Sequence, residues 1–287
     1  MKPAVLSALL IFYFSVQAFC SGNLELVNER EIETDNINDI KIIYASEKVS
    51  IYTGTSEKLV IKEYMSENNS RYYANINITG NTLTVEKGES PIRLFNNFNR
   101  RVEVYLPVSY RNAVNIKTSS GSIDILNLNG SRIELESSSG RIFVNSITAG
   151  VIKIKSSSGG IDIGAANGNL TTETSSGNIS LGILTGSFNA KTSSGGILCT
   201  VSDNVVNIIL YTLSGAVRLY LPQSLNFNFS SRTSSGRLTA PFSDKLSSPV
   251  TDKNLVQGVI GGSNGTDNIP VIDIRTNSGS IRIEWAE

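Results

Sequence analysis

Four patterns in this 287-residue sequence have residue types and spacings that could do chemistry. Asp124 and Asp162 recur at matching points of a repeat, and a pair of carboxyl groups is what general acid–base cleavage of a glycosidic bond requires. Gly261-Gly262-Ser263-Asn264-Gly265 has the G-x-S-x-G spacing of a serine nucleophile, and Gly261 to Ile269 approximates a glycine- and aspartate-rich calcium loop. Tyr105, Phe143, Tyr211 and Tyr220 are aromatics that could stack on sugar rings or on a protein partner.

The chain has no histidine. That excludes Ser-His and Cys-His nucleophiles and histidine-bound metal. The G-x-S-x-G run lacks a strand-to-helix elbow around it and reads as a flexible turn. The calcium-like run occurs once and its spacing is off by one, so neither a metal site nor a cofactor is expected. No catalytic residue is assigned.

A repeat must position the remaining candidates. Gly121, Gly140, Gly159, Gly177, Gly195, Gly215, Gly236 and Gly279 each follow a serine, with spacings of 19, 19, 18, 18, 20, 21 and then 43. A period near 19 marks a solenoid, in which each unit buries its apolar face on its neighbours. The expected fold is all-β, a single-chain parallel β-helix with roughly 18 to 20 residues per coil.

Aligned on the glycine, the coils read as columns. Positions two and four after it hold Ile123 and Ile125, Ile142 and Val144, Ile161 and Ile163, and so on, and point inward. Five before it stand Ile116, Leu135, Ile154, Thr172, Ala190, Leu210, Ser231 and Ile274, on a second strand. A weaker inward column at Leu128, Ile147, Ala166 and Leu184 predicts a third short face. The glycine is the corner, because it tolerates positive φ and leaves room for the coil stacked on it, while the neighbouring serine hydroxyls can bond turn amides.

Columns also place the outward residues. Asp124 and Asp162 share one, with Phe143 between them, so two rungs separate them by about 9.6 Å. That is the far limit for an inverting pair, and nearby Arg141, Lys117 and Lys155 fit ordinary surface charge as well. Four residues before the glycine stand Lys117, Glu136, Lys155, Glu173 and Lys191, then Tyr211, Arg232 and Arg275. Five consecutive rungs alternate in sign, as a solvent-facing ladder should. The four aromatics fall on outward columns and are the candidate binding residues. Cys199 falls in an inward column, as a buried structural thiol.

Met1-Lys2 followed by an apolar run from Ala4 to Val16 reads as a signal peptide over residues 1–18, too short to span a bilayer. Cleavage after Ala18 leaves Phe19 first, and the alternative is lipidation of Cys20, the only route by which a membrane would be a partner. Residues 19–101 read as an irregular β-rich part, with short alternating segments such as Ile40-Lys41-Ile42 and Val49-Ser50-Ile51. Residues 102–287 hold the regular coils, with a covering loop near 238–270 and a last rung closed by Val271 to Ile283. Lys plus Arg equal Asp plus Glu at 25 each, so nothing electrostatic points to nucleic acid.

The serial Ser-Ser-Gly-x-Ile-x-Ile coils, the entry Val102-Glu103-Val104-Tyr105-Leu106-Pro107, the Gly258-Val259-Ile260-Gly261-Gly262 run and the closing Thr276-Asn277-Ser278-Gly279-Ser280-Ile281 resemble the bacterial "putative adhesin" β-helix domain family. The resemblance covers roughly Asp39 to Glu284. It implies a parallel β-helix in an exported or envelope-associated bacterial protein, periplasmic or at the cell surface. It also implies adhesion to an envelope protein or glycan, and no catalytic residues. A carbohydrate-active enzyme and a purely structural envelope spacer are the alternatives, and the oligomeric state stays open.

Overall fold

A computed structural model describes residues 24–91, 98–252, 254–261 and 269–286. The signal segment, Cys20 and most of the G-x-S-x-G run lie outside the described residues. The protein is all-β, with its strands hydrogen-bonded into a long, mostly parallel stack. In chain order the strands are β1 (Glu25–Ile32), β2 (Asp39–Ile43), β3 (Lys48–Gly54), β4 (Leu59–Met65), β5 (Asn75–Thr79), β6 (Thr82–Glu86), β7 (Arg100–Pro107) and β8 (Ala113–Thr118). Five long strands follow: β9 (Ile123–Ser137), β10 (Ile142–Ser156), β11 (Ile161–Thr174), β12 (Ile179–Thr192) and β13 (Ile197–Thr212). The rest are β14 (Val217–Leu221), β15 (Phe227–Thr233), β16 (Leu238–Thr239), β17 (Ser247–Asp252), β18 (Leu255–Ile260), β19 (Val271–Thr276) and β20 (Ile281–Trp285).

Each long strand bends around the core, so its start lies on a first face and its end on a second. The register pairs Ile123, Ile142, Ile161, Ile179, Ile197 and Val217 in succession on the first face. Leu135, Ile154, Thr172, Ala190 and Leu210 do the same on the second. Both columns are buried, and so is the third one at Leu128, Ile147, Ala166 and Leu184, which lies inside the bend. Period-2 alternation of branched aliphatics is what a pleated strand buried on one side selects.

The corner glycines work by closeness. None of the eight has a positive φ, which corrects one of the two reasons expected of them. A Cβ on Gly159 would sit 2.1 Å from the Gly140 carbonyl oxygen, and one on Gly195 would sit 1.8 Å from that of Gly177. The hydroxyl that serves the corner is also not that of the serine pair, much of which is exposed. It belongs to a buried Ser or Thr three residues before the glycine. Thr212 Oγ1 accepts from the Gly215 amide at 3.0 Å and donates to the Gly195 carbonyl at 3.1 Å, stitching two rungs together. Ser137, Thr174, Thr192, Thr233 and Thr276 make the same pair of bonds.

Stack order departs from chain order at both ends. β20 pairs with β14 on one side and β16 on the other, and β19 lies between β13 and β15. The coil of residues 271–285 is therefore inserted between two earlier coils and does not close the stack, a correction to the reading from sequence order. Likewise β2 and β3 sit between the rung of β6 and β7 and that of β8 and β9. Among the described residues, the outermost strands of the first face are β1, packed antiparallel on β4, at one end and β16 at the other.

The core is plugged differently at each end. Phe227, Phe229, Phe242 and Trp285 close the C-terminal end, with ring centroids 5.1 to 6.1 Å apart. At the N-terminal end buried Glu63 accepts from Asn28 at 2.7 Å, from Arg30 at 3.2 Å and from the Ala74 amide at 2.9 Å. A buried carboxylate is tolerable because it is paired and hydrogen-bonded.

Candidate binding faces

Of the four candidate aromatics, Tyr105 is the one the structure sets in a cluster. It lies on β7, beside Tyr52 of β3, with ring centroids 5.0 Å apart and planes at 25°. Its hydroxyl donates to Glu103 Oε2 at 3.0 Å, and the Tyr64 hydroxyl from β4 donates to the same oxygen at 3.1 Å. Lys62 Nζ stands 5.5 Å from the Tyr105 ring centroid and the Arg101 guanidinium 4.3 Å from that of Tyr64. Burial, reinforced by the hydrogen bond to Glu103, pushes the Tyr105 hydroxyl up to about 12. Rings, two cations and one carboxylate thus share an outward patch on paired strands. Tyr52 and Tyr64 were not among the sequence candidates, although Val49-Ser50-Ile51-Tyr52, Val102-Glu103-Val104-Tyr105 and Val217-Arg218-Leu219-Tyr220 carry one pattern.

The other three are dispersed. Phe143 is on the same first face, three rungs on, with the Arg141 guanidinium 5.2 Å from its ring centroid. Tyr220 is on that face too, near the opposite end, beside Glu284. Tyr211 lies on the second face with Lys191 Nζ 5.9 Å from its ring centroid. The structure therefore brings no two of Tyr105, Phe143, Tyr211 and Tyr220 together.

Asp124, Phe143 and Asp162 occupy successive rungs. Each carboxylate has its own cation: Lys48 for Asp124, and Arg141 Nε at 2.7 Å for Asp162. Each carboxylate is thus engaged by a cation of its own and does not face the other across a shared site. Cys199 is free and buried, and burial pushes its thiol up. Among the described residues no group of three or more His, Cys, Asp or Glu could hold a metal ion.

A model of the Toastrack DUF4097 family matches residues 37–284. The chain belongs to the Toastrack family. No curated protein matches it in sequence. Among solved structures, a "putative adhesin" from Parabacteroides distasonis is 16% identical, with a TM-score of 0.45 over 92% of this chain and 98% of its own. A "putative adhesin" from Bacteroides fragilis is 12% identical, with a TM-score of 0.43 over 93% and 98%. A "putative lipid binding protein" from Parabacteroides distasonis is 13% identical, with a TM-score of 0.34 over 93% and 98%.

A second surface feature of this Toastrack chain lies at the C-terminal end of the first face. A groove of about 620 Å³ is lined by Arg237, Thr239, Pro241, Arg282, Ile283 and Trp285, among others. The Ile281 amide donates to the Arg237 carbonyl at 2.8 Å, and β16 pairs with β20 only as far as Thr239 and Arg282. In this register the Ile283 carbonyl next faces Pro241, which has no N–H to give. The chain then turns inward at buried Phe242, leaving the remainder of the β20 edge beside the groove.

Proposed function

We propose that this chain is an exported, non-enzymatic interaction module of the bacterial cell envelope, presenting the outer faces of a parallel β-helix to an envelope protein or glycan. The coil is roughly 18 to 20 residues, matching the spacing of most of the corner glycines. The observation that carries the reading is the patch of Tyr52, Tyr64 and Tyr105 around Glu103, flanked by Lys62 and Arg101. Aromatic rings offer an apolar surface to the C–H face of a sugar or to a side chain, and the charged groups beside them serve its hydroxyls. The lone ion pairs at Asp124 and Asp162 favour the non-enzymatic reading over the glycan-cleaving one.

A glycan array and a pull-down from envelope extract, using the chain without residues 1–18, test the proposal. Binding is expected, and replacing both Tyr52 and Tyr105 by alanine abolishes it while the fold persists by circular dichroism. No ligand at micromolar concentration would overturn the reading in favour of an architectural spacer. The mass of the mature N-terminus tests export separately: free Phe19 means a released domain, diacylated Cys20 a lipoprotein.

A further inference from the structure

The two ends of the first face are complementary. At the N-terminal end the outermost strand is β1, whose outward residues include Leu26, 46% exposed, and Glu29 and Glu31. Glu25 and Glu33 add to them, so four carboxylates stand against the two ammonium groups of Lys58 and Lys62, which pair with Glu33, Glu31 and Glu29. At the C-terminal end the outward residues are Arg218 and Arg282, directly paired across β14 and β20, and Arg237 on the neighbouring rung. Arg282 is held by Glu284 at 2.6 Å. Arg218 and Arg237 are exposed, and among the described residues neither has an ion pair.

Backbone polarity agrees with the charge. β1 is antiparallel to β4, and β4 is antiparallel to β7, so β1 runs in the direction of the stack. A copy displaced along the axis would bring its β1 parallel to β16 and β20, continuing the ladder. Strand edges left open in this way are templates for a further strand. On the second face the outermost C-terminal strand, β17, carries Pro249, which guards that edge.

We infer that the acidic β1 edge of one copy docks on the arginine-lined groove and open β20 edge of a second copy, so that the chain assembles head to tail into linear filaments. The contact is heterologous and does not close, because a translation along the axis leaves a free head and a free tail at every step. With the strands parallel, Glu29 and Glu31 lie along Arg237 and Arg282, with Arg218 beside Arg282 on the next strand, and Leu26 precedes them on the Arg237 side. This does not depend on the aromatic patch or its ligand.

Sedimentation equilibrium of the chain without residues 1–18, across protein concentration and at low and high salt, is the test. The mass should rise beyond a dimer at low salt and fall toward the monomer at high salt. Arg218→Glu with Arg237→Glu should weaken association by about tenfold or more, and Glu29→Lys with Glu31→Lys should do the same. Each variant repels itself, whereas an equimolar mixture presents opposite charges at every junction and should associate again. Thermal melting of each variant confirms that the fold is retained. A monomer at all concentrations, an assembly indifferent to these reversals, or a mixture that fails to recover would overturn the inference.

Discussion

Gly279 lies on the carbonyl oxygen of Gly215, and Gly236 lies on that of Gly279. A coil written late in the chain is therefore an interior rung. Termini normally fray and tolerate change, but a Cβ on Gly279 would sit 1.8 Å from backbone, as close as one on Gly195 in the middle of the stack. Gly279→Ala should cost about 3 kcal/mol, as much as Gly159→Ala, in urea unfolding. A cost near zero for Gly279→Ala alone would show that residues 271–285 occupy a fraying end.

The hydroxyl ladder makes a second prediction. Thr212→Val keeps the side-chain shape but leaves the Gly215 amide and the Gly195 carbonyl without the partner they now have. Burying those groups unpaired should cost about 1 to 2 kcal/mol. Ser119→Ala, at an exposed serine of the Ser119-Ser120 pair in an earlier coil, should be close to neutral in the same titration.

The sign-alternating ladder is expected to respond to salt. Lys117 and Glu136 lie 3.1 Å apart and Lys155 and Glu173 2.9 Å apart, all exposed. Glu136→Lys sets three cations in consecutive rungs and should lower stability by about 1 kcal/mol at low salt. The difference should largely vanish at high ionic strength. An unchanged unfolding midpoint at low salt would mean that the side chains do not interact across rungs.

Tyr105 should report on the patch at alkaline pH. Its hydroxyl is raised from 10.0 to about 12 by burial first and Glu103 second. The folded state thus holds this proton more tightly than the unfolded state. Its stabilising contribution is complete below pH 10 and is lost as pH rises from about 10 to 12. Tyrosinate absorbance of Tyr105→Phe should lack one late-titrating group relative to the parent. Identical titration curves would refute the assignment.

Much of the scaffold was legible because its causes are periodic. The inward aliphatics at Ile142, Ile161 and Ile179 and the signs at Glu136, Lys155 and Glu173 recur with the coil, so alignment alone places them. The insertion of residues 271–285 was illegible for the same reason. Ile281 and Ile283 satisfy the pocket between Val217 and Leu238 as well as they would satisfy an end position, and like coils do not encode which neighbour each one takes. Thr212 and its equivalents were visible as a column but were overshadowed by the serines beside them. The patch around Tyr105 needed Tyr52 and Tyr64, which come from the irregular part where columns cannot be aligned in advance.

The inserted coil also sets a timetable. Residues 228–239 are synthesised before residues 271–285, yet they rest on them. Until the later coil arrives, the earlier one has no proper seat: it can wait unpaired or occupy the wrong one against β13 and β14. A chain built this way resists completing its stack while it is still emerging. Against a solenoid that adds coils in order, entry of this keystone is expected to be a late step of folding, because it makes contacts with coils on both of its sides.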